Sequence, residues 1–306
     1  MAYSSGGLIE ATDYNNLING SNQLNTVWGT GSGSAGYGQT AVSAVSATNT
    51  VTATQWASLV NTLNNARNHQ SGTGSGVSAP TAGTTISYLS TLQSAVNTSY
   101  SSRLSYATQG TTTTGGGYSA NPTGGAGTFS GTFTRTLTWA SGNAARYFFN
   151  CGGKIDWAIT SATNNNGTLR SADLVTQFAT YQAGGTMFSS SATPRTGSGG
   201  TVNTANTGLG YWQLTTSDQT VSQITSANYR YEYNSDYTYV NLRASAANAS
   251  GNGDNGLAIY ITFGWYMYST YAGFNDDVNV SVNHRIDYTV PESTYLSASW
   301  GAPTIS

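Results

Sequence analysis

The apolar residues of this chain change their spacing once, and that change limits the available folds more than any motif does. Over the first hundred residues they recur at three and four positions, the spacing that lines one face of an α-helix. Tyr14, Leu17, Ile18, Leu24 and Trp28 define one such face, and Trp56, Leu59, Val60 and Leu63 a second. Leu89, Leu92, Val96 and Leu104, with Tyr88 and Tyr100 alongside, make a third. From residue 128 the period becomes two: Phe129, Phe133, Leu137 and Trp139 fall on one side of a strand, with Thr and Ser mostly on the other. Between these regimes the segment Thr111–Gly127 carries Thr and Gly runs, a proline and almost no large apolar residue, the composition of a connection. The pattern predicts an α+β chain: an N-terminal helical region followed by a mainly antiparallel β-sandwich-like domain with one inserted helix. The expected parts are a helical assembly or anchor region over 1–107, a Gly/Thr-rich linker over 108–127 and a β-rich domain over 128–306.

Local signals refine this outline. Ala11-Thr12-Asp13-Tyr14 is echoed by Ala53-Thr54-Gln55-Trp56, each preceded two positions earlier by an apolar residue (Ile9, Val51) and followed by an aliphatic pair. Thr52 with Gln55 reads as a capping box. The polar faces of these helices are Asn, Ser, Thr and Gln, mediocre helix formers, so packing must hold them, either in a bundle closed on itself or against other chains. In the β region, Tyr147–Asn150 and Ile155–Ile159 flank Cys151-Gly152-Gly153 as a hairpin. Arg230–Tyr233 and Tyr237–Leu242 flank Asn234-Ser235-Asp236 as another. Leu257–Tyr268 and Val278–Val290 read as strands, and a helix starts near Ser171 with Leu174, Val175, Phe178 and Tyr181 on its apolar side.

Charge narrows the function classes. Only 7% of the residues are charged, against about 25% in an ordinary soluble domain. The aromatic content is 12% and the net charge −2, which separates the chain from disordered sequences. Ser, Thr, Asn and Gly are expected to keep the surface wet, and such weak colloidal protection favours self-association. Ten basic residues against twelve acidic, with Lys154 the sole lysine, give no basic patch for nucleic acid. Met1–Ile9 lacks the pattern of a signal peptide. The apolar stretch Leu257–Tyr271, broken by Thr262, Gly264 and Ser269, is too short and mixed for membrane insertion. The lone Cys151 leaves no intramolecular disulfide.

Ionisable groups form no evident catalytic set. His69 and His284 stand in different predicted regions without metal-ligand spacing. His69, beside Arg67 at a helix end, suits a cation on the helix dipole, and His284 reads as an ordinary strand residue or a subunit contact. Gly197-Ser198-Gly199-Gly200 lies in a polar loop rather than a nucleophile elbow. Adjacent Asp276 and Asp277 would point to opposite faces of a strand, and Glu232 and Asp236 bracket a turn and read as solvated. Asn252–Gly256 lacks the closing Glu of a calcium loop. The chain is therefore expected to be no enzyme, with no catalytic residue, no metal and no cofactor. Recognition falls instead to Tyr229, Tyr231, Tyr233, Tyr237 and Tyr239, which alternate through one predicted hairpin. They stack as cross-strand pairs within a sheet, or form a binding platform for sugar or protein if that face is open.

Arg146-Tyr147-Phe148-Phe149-Asn150-Cys151-Gly152-Gly153-Lys154-Ile155 resembles an R-Y-F-F-N-x-G-G-x-I strand-turn-strand segment of virion structural proteins of tailed bacteriophages, particularly T4-like myoviruses of marine and cyanobacterial hosts. The paired helix signature and Val282-Asn283-His284-Arg285-Ile286-Asp287 are similar to the same group, and the likeness covers most of the chain. It implies a structural part of the virion, assembled in the host cytoplasm: a tail or baseplate fibre or appendage that associates with itself as a homotrimer and with other virion proteins, and contacts host surface glycans or protein. A capsid or neck decoration protein, and a polysaccharide-degrading tail enzyme, are the alternatives. The resemblance brings no catalytic residue with it.

Overall fold

The computed structural model describes residues 10–125, 127–226, 235–246, 256–268 and 277–306. The backbone forms two units: Met1–Thr111 with Arg146–Gly153 and Val290–Gly301, and Thr112–Ala145 with Lys154–Thr289 and Ala302–Ser306. The class is α+β, with most helices N-terminal and antiparallel sheets following.

The first unit holds α1 (Ala11–Ile18), α2 (Leu24–Trp28), α3 (Ala53–Ser71) and α4 (Leu89–Ser101), and receives the end of α5 (Gly142–Asn150). The first expected helix is two, because the chain turns extended at Asn19; Leu24, Val27 and Trp28 are buried all the same. The capping box at α3 is formed: Thr52 Oγ1 accepts from the Gln55 amide, and Gln55 Oε1 accepts from the Thr52 amide at 2.8 Å. The echoed sequences meet, with the Tyr14 and Trp56 rings packed edge-on at 5.2 Å. His69 corrects the helix-dipole expectation. It is buried against the Tyr37 ring, and desolvation pulls its pKa down to about 4, so near neutral pH it carries no charge.

Between these helices the chain runs without secondary structure over residues 29–52, and side-chain amides fasten it. Asn25 Nδ2 donates to Val42 O at 2.9 Å while Oδ1 accepts from Val42 N at 2.8 Å. Asn15 makes the same two-point bond to Val45, at 2.7 and 2.9 Å. Gln39 makes it to Ser297, at 2.9 and 2.8 Å. Each amide presents one donor and one acceptor in the arrangement of a peptide group, and so replaces a strand partner for buried backbone.

The segment Tyr147–Asn150, expected as a strand, is the last turn of α5. The helix puts Arg146 and Asn150, four apart, on one face. Arg146 donates to Ala35 O at 2.7 Å and Thr30 O at 2.6 Å, and Asn150 Nδ2 to Gly36 O at 3.0 Å. Those carbonyls repay helical geometry in a way a strand could not match. Gly152 ends the turn at φ 92°, where a Cβ would run into the Tyr106 ring.

The second unit is a sandwich of two antiparallel sheets. Residues expected as linker form β1 (Gln109–Thr113), β2 (Tyr118–Ala120) and β3 (Thr123–Gly124), all beside β12 (Val278–Pro291). The same sheet continues from β12 to β5 (Lys154–Asn164), β6 (Gly184–Met187) and β7 (Ala192–Thr193). The other sheet has the order β13 (Thr304–Ile305), β4 (Phe129–Thr138), β11 (Ala258–Met267), β10 (Tyr237–Ala244), β9 (Gln219–Thr225), β8 (Thr201–Ala205). The inserted helix is α6 (Leu169–Thr176), continued by a π-helical turn, Gln177–Gln182. The inner faces meet where Phe133 lies 4.9 Å from Phe263 and 4.4 Å from the ring of fully buried His284. His284 Nε2 accepts from Arg135 Nε at 2.8 Å. Burial and that neighbouring cation hold its pKa near 4, which makes it a neutral core acceptor.

Candidate functional site

Of the second expected hairpin, the strand beginning at Tyr237 is described, as β10. β10 pairs with β9 on one edge, Tyr237 opposite Thr225, and with β11 on the other, Tyr237 opposite Tyr266. Both edges of Tyr237–Leu242 are thus taken by β9 and β11, and Arg230–Tyr233, expected as its partner, lies outside the described residues. Tyr229, Tyr231 and Tyr233 lie outside the described residues. Tyr237 and Tyr239 lie within them, on the outer face of β10.

Alternation along β10 sends Thr238, Val240 and Leu242 into the core and leaves Tyr237, Tyr239, Asn241 and Arg243 outside. The cross-strand partners on β11 are Tyr266, Gly264, Thr262 and Tyr260. Tyr237 and Tyr266 stack with planes 6° apart and centres 5.5 Å apart. Tyr268, 37% exposed, packs 4.5 Å from Tyr266, and Tyr239 lies 6.1 Å from Tyr237. Gly264 makes room for this cluster, since a Cβ there would overlap the Tyr239 ring. Of the five expected tyrosines the two described ones are half-buried: Tyr237 stacks across strands on Tyr266, itself half-buried, and Tyr239 packs beside Tyr237.

Among the described residues, the flanks of the cluster on β4 and β9 are polar and uncharged. On β4, Ser130 and Thr132 stand opposite Tyr266 and Gly264; on β9, Gln223 and Thr225 stand opposite Tyr239 and Tyr237. Among the described residues the charge on this face is at its far end, where Arg243 lies 3.7 Å over the Tyr260 ring and pairs with Asp218 at 3.3 Å. Desolvation raises the pKa of Tyr237, reinforced by Tyr268, Tyr239 and Tyr266, and raises that of Tyr239, reinforced by Asp218. These phenols therefore stay protonated and act as neutral donors and acceptors. Tyr266 and Tyr268 were outside the sequence expectation, although Tyr260-x-Thr262-x-Gly264-x-Tyr266-x-Tyr268 is a period-two signal. What the spacing did not hold was which strand lies beside β10.

Asp236, expected to be solvated, is fully buried at the foot of the cluster. Its Oδ1 accepts from the Tyr268 amide at 2.6 Å, tying the start of β10 to the end of β11. Desolvation raises its pKa to about 7, with Asp173 adding to the rise and Arg170 opposing it. Among the described residues no group of three or more His, Cys, Asp or Glu side chains comes together to hold a metal ion, and no helix is long and apolar enough to cross a membrane. A cleft of about 410 Å³ in the first unit, between Gly76–Thr81 and the start of α4, is lined by Val77, Pro80, Thr84, Tyr88 and Thr91 and presents no carboxylate or imidazole.

Comparisons with protein-family models, with curated proteins and with solved structures find no match to this chain.

Proposed function

We propose that this chain is a structural component of a bacteriophage virion, a tail or baseplate appendage that assembles with copies of itself and with other virion proteins. The observation that carries this reading is what the Arg146–Ile155 segment does. The guanidinium of Arg146 and the amide of Asn150 hold the backbone of residues 30–36, and Gly152 shapes the turn into β5. The residues that resemble virion proteins are thus committed to architecture. The uncharged tyrosine face supports a contact role for the same protein, since rigid amphipathic rings give contact area at low entropic cost.

Labelling the chain in purified particles tests the location. A few symmetric copies at the tail or baseplate are expected, and copies spread over the capsid lattice would make it a decoration protein instead. Solution mass tests assembly: a homotrimer is expected, and a monomer at micromolar concentration would remove self-association from the reading.

A further inference from the structure

We infer that the tyrosine face of the six-stranded sheet is a binding site for neutral oligosaccharide. The inference rests on the appendage reading in naming what the face would contact, but its chemistry is argued from the face alone. Tyr237, Tyr239, Tyr266 and Tyr268 form a continuous aromatic patch with neighbouring ring centres 4.5–6.1 Å apart. Among the described residues of β10 and β11 no aliphatic side chain joins them, because the aliphatic ones all point into the core. A stable protein interface surrounds its aromatic anchors with further apolar surface, and the described neighbours of this patch on β4 and β9 are polar instead. What surrounds it are short hydroxyl and amide groups, Thr132 and Gln223 among them, on strands that hold them at fixed spacing.

A pyranose ring matches that arrangement. It has an apolar C–H face that rests against an aromatic ring, and a rim of hydroxyls that both donate and accept. Phenol, hydroxyl and carboxamide groups do both as well, and a sheet presents them without ordering cost on binding. Charge selects the ligand: an anionic glycan finds no charge partner in a phenol, and among the described residues the cation on this outer face, Arg243, is already paired with Asp218 and covers Tyr260. Sialylated and sulfated sugars are therefore disfavoured.

The test exposes the full-length chain to an immobilised panel of short neutral pyranose oligosaccharides, with sialylated and sulfated glycans beside them. Binding to at least one neutral oligosaccharide is expected. It should weaken about tenfold or more in Tyr266→Ala while Tyr266→Phe, which keeps the ring, stays close to wild type. Thr132→Arg leaves the tyrosines intact and places a charge beside them, so it should weaken binding without affecting folding. Preference for anionic glycans, no glycan binding, or binding undiminished in both Tyr266→Ala and Thr132→Arg would overturn the inference. So would a Tyr266→Ala variant that changes only the solution mass, since the face would then belong to a second copy. Because the assay uses the isolated chain, its failure leaves the particle location untouched, and a capsid location would leave the binding result standing.

Discussion

The two-point amide bonds of the first unit invite an isosteric perturbation, Asn25→Asp. The carboxylate still accepts from the Val42 amide, but it cannot donate to Val42 O, now 2.9 Å from a carboxylate oxygen, nor to Asn19 Oδ1 at 3.1 Å. Losing two donated hydrogen bonds, of which the exposed one to Asn19 counts for little, and leaving a largely buried carbonyl facing negative charge should together cost about 2 kcal/mol. Asn25→Ala removes both legs without adding a charge, leaving the Val42 N–H and C=O without that partner, so its cost should be about 2 kcal/mol. Acid distinguishes the two. When the new carboxyl is protonated it regains a donor, so the aspartate penalty should shrink as pH falls to about 4, while the alanine penalty stays constant. Native-state hydrogen exchange at Tyr37, Gly38 and Gln39 reads the effect locally, because those amides donate to Val27, Gly29 and Trp28 beside the bond. A neutral-pH cost of Asn25→Asp below about 0.5 kcal/mol, or a cost that does not fall in acid, would mean that the amide is not acting as a strand substitute.

Arg146→Lys should destabilise the first unit by about 2–3 kcal/mol, because an ammonium cannot span Thr30 O and Ala35 O together. Denaturation combined with Asn150→Ala checks this: the two should be less than additive, since they hold one loop. Gly264→Ala should cost about 1–3 kcal/mol by displacing the Tyr239 ring, seen as lower thermal stability and a changed near-UV tyrosine signal; an unaltered signal would mean that Tyr239 does not lie over β11.

The α+β class, the capping box at Thr52 and the strand at Leu257–Tyr268 were legible because each is a local pattern that its own residues satisfy. The errors share a physical origin in tertiary partners. Tyr147–Asn150 has strand-forming aromatics, but the carbonyls of Thr30, Ala35 and Gly36 reward the helix that aligns Arg146 with Asn150. Asn15 and Asn25 were read among the residues that wet the surface and Gln39 was given no role, yet all three bond inward to backbone far along the chain, and nothing in the spacing of an amide tells which way it points. The linker was misread for a related reason: short Thr- and Gly-rich segments form strands when a long neighbour such as β12 offers a ladder. The tyrosine site was half legible, since alternation puts Tyr237 and Tyr239 on one face, while Tyr266 joins them only through the β10–β11 register.

Few charges make the pH response of this chain depend on a few buried groups. His69 and His284 titrate near 4 when folded against 6.5 in the open. Their stabilising contribution is complete above 6.5 and is lost as pH falls through 4, because the unfolded chain takes up the protons first. Asp236 has the opposite sign. Its folded pKa is about 7 against 3.8, so its contribution is complete below 3.8 and is lost as pH rises through 7. Between about pH 4 and 6.5 the unfolded state therefore binds two protons through the histidines and the folded state one through Asp236, a net of one, and stability should rise with pH by at most about 1.4 kcal/mol per unit. Above 6.5 the histidines fall silent and Asp236 reverses the slope, so maximum stability is expected close to pH 6.5. Asp236→Asn keeps an acceptor for the Tyr268 amide and removes the ionisation; it should leave the acid limb steeper, flatten the limb above 6.5 and stabilise the protein by about 1–3 kcal/mol at pH 8. Denaturation across this range decides the matter: an Asp236→Asn variant equally shifted at pH 5 and pH 8 would show that the carboxyl is ionised throughout, and that the buried foot of the tyrosine cluster holds its charge by contacts other than those of Asp173, Arg170 and Tyr268.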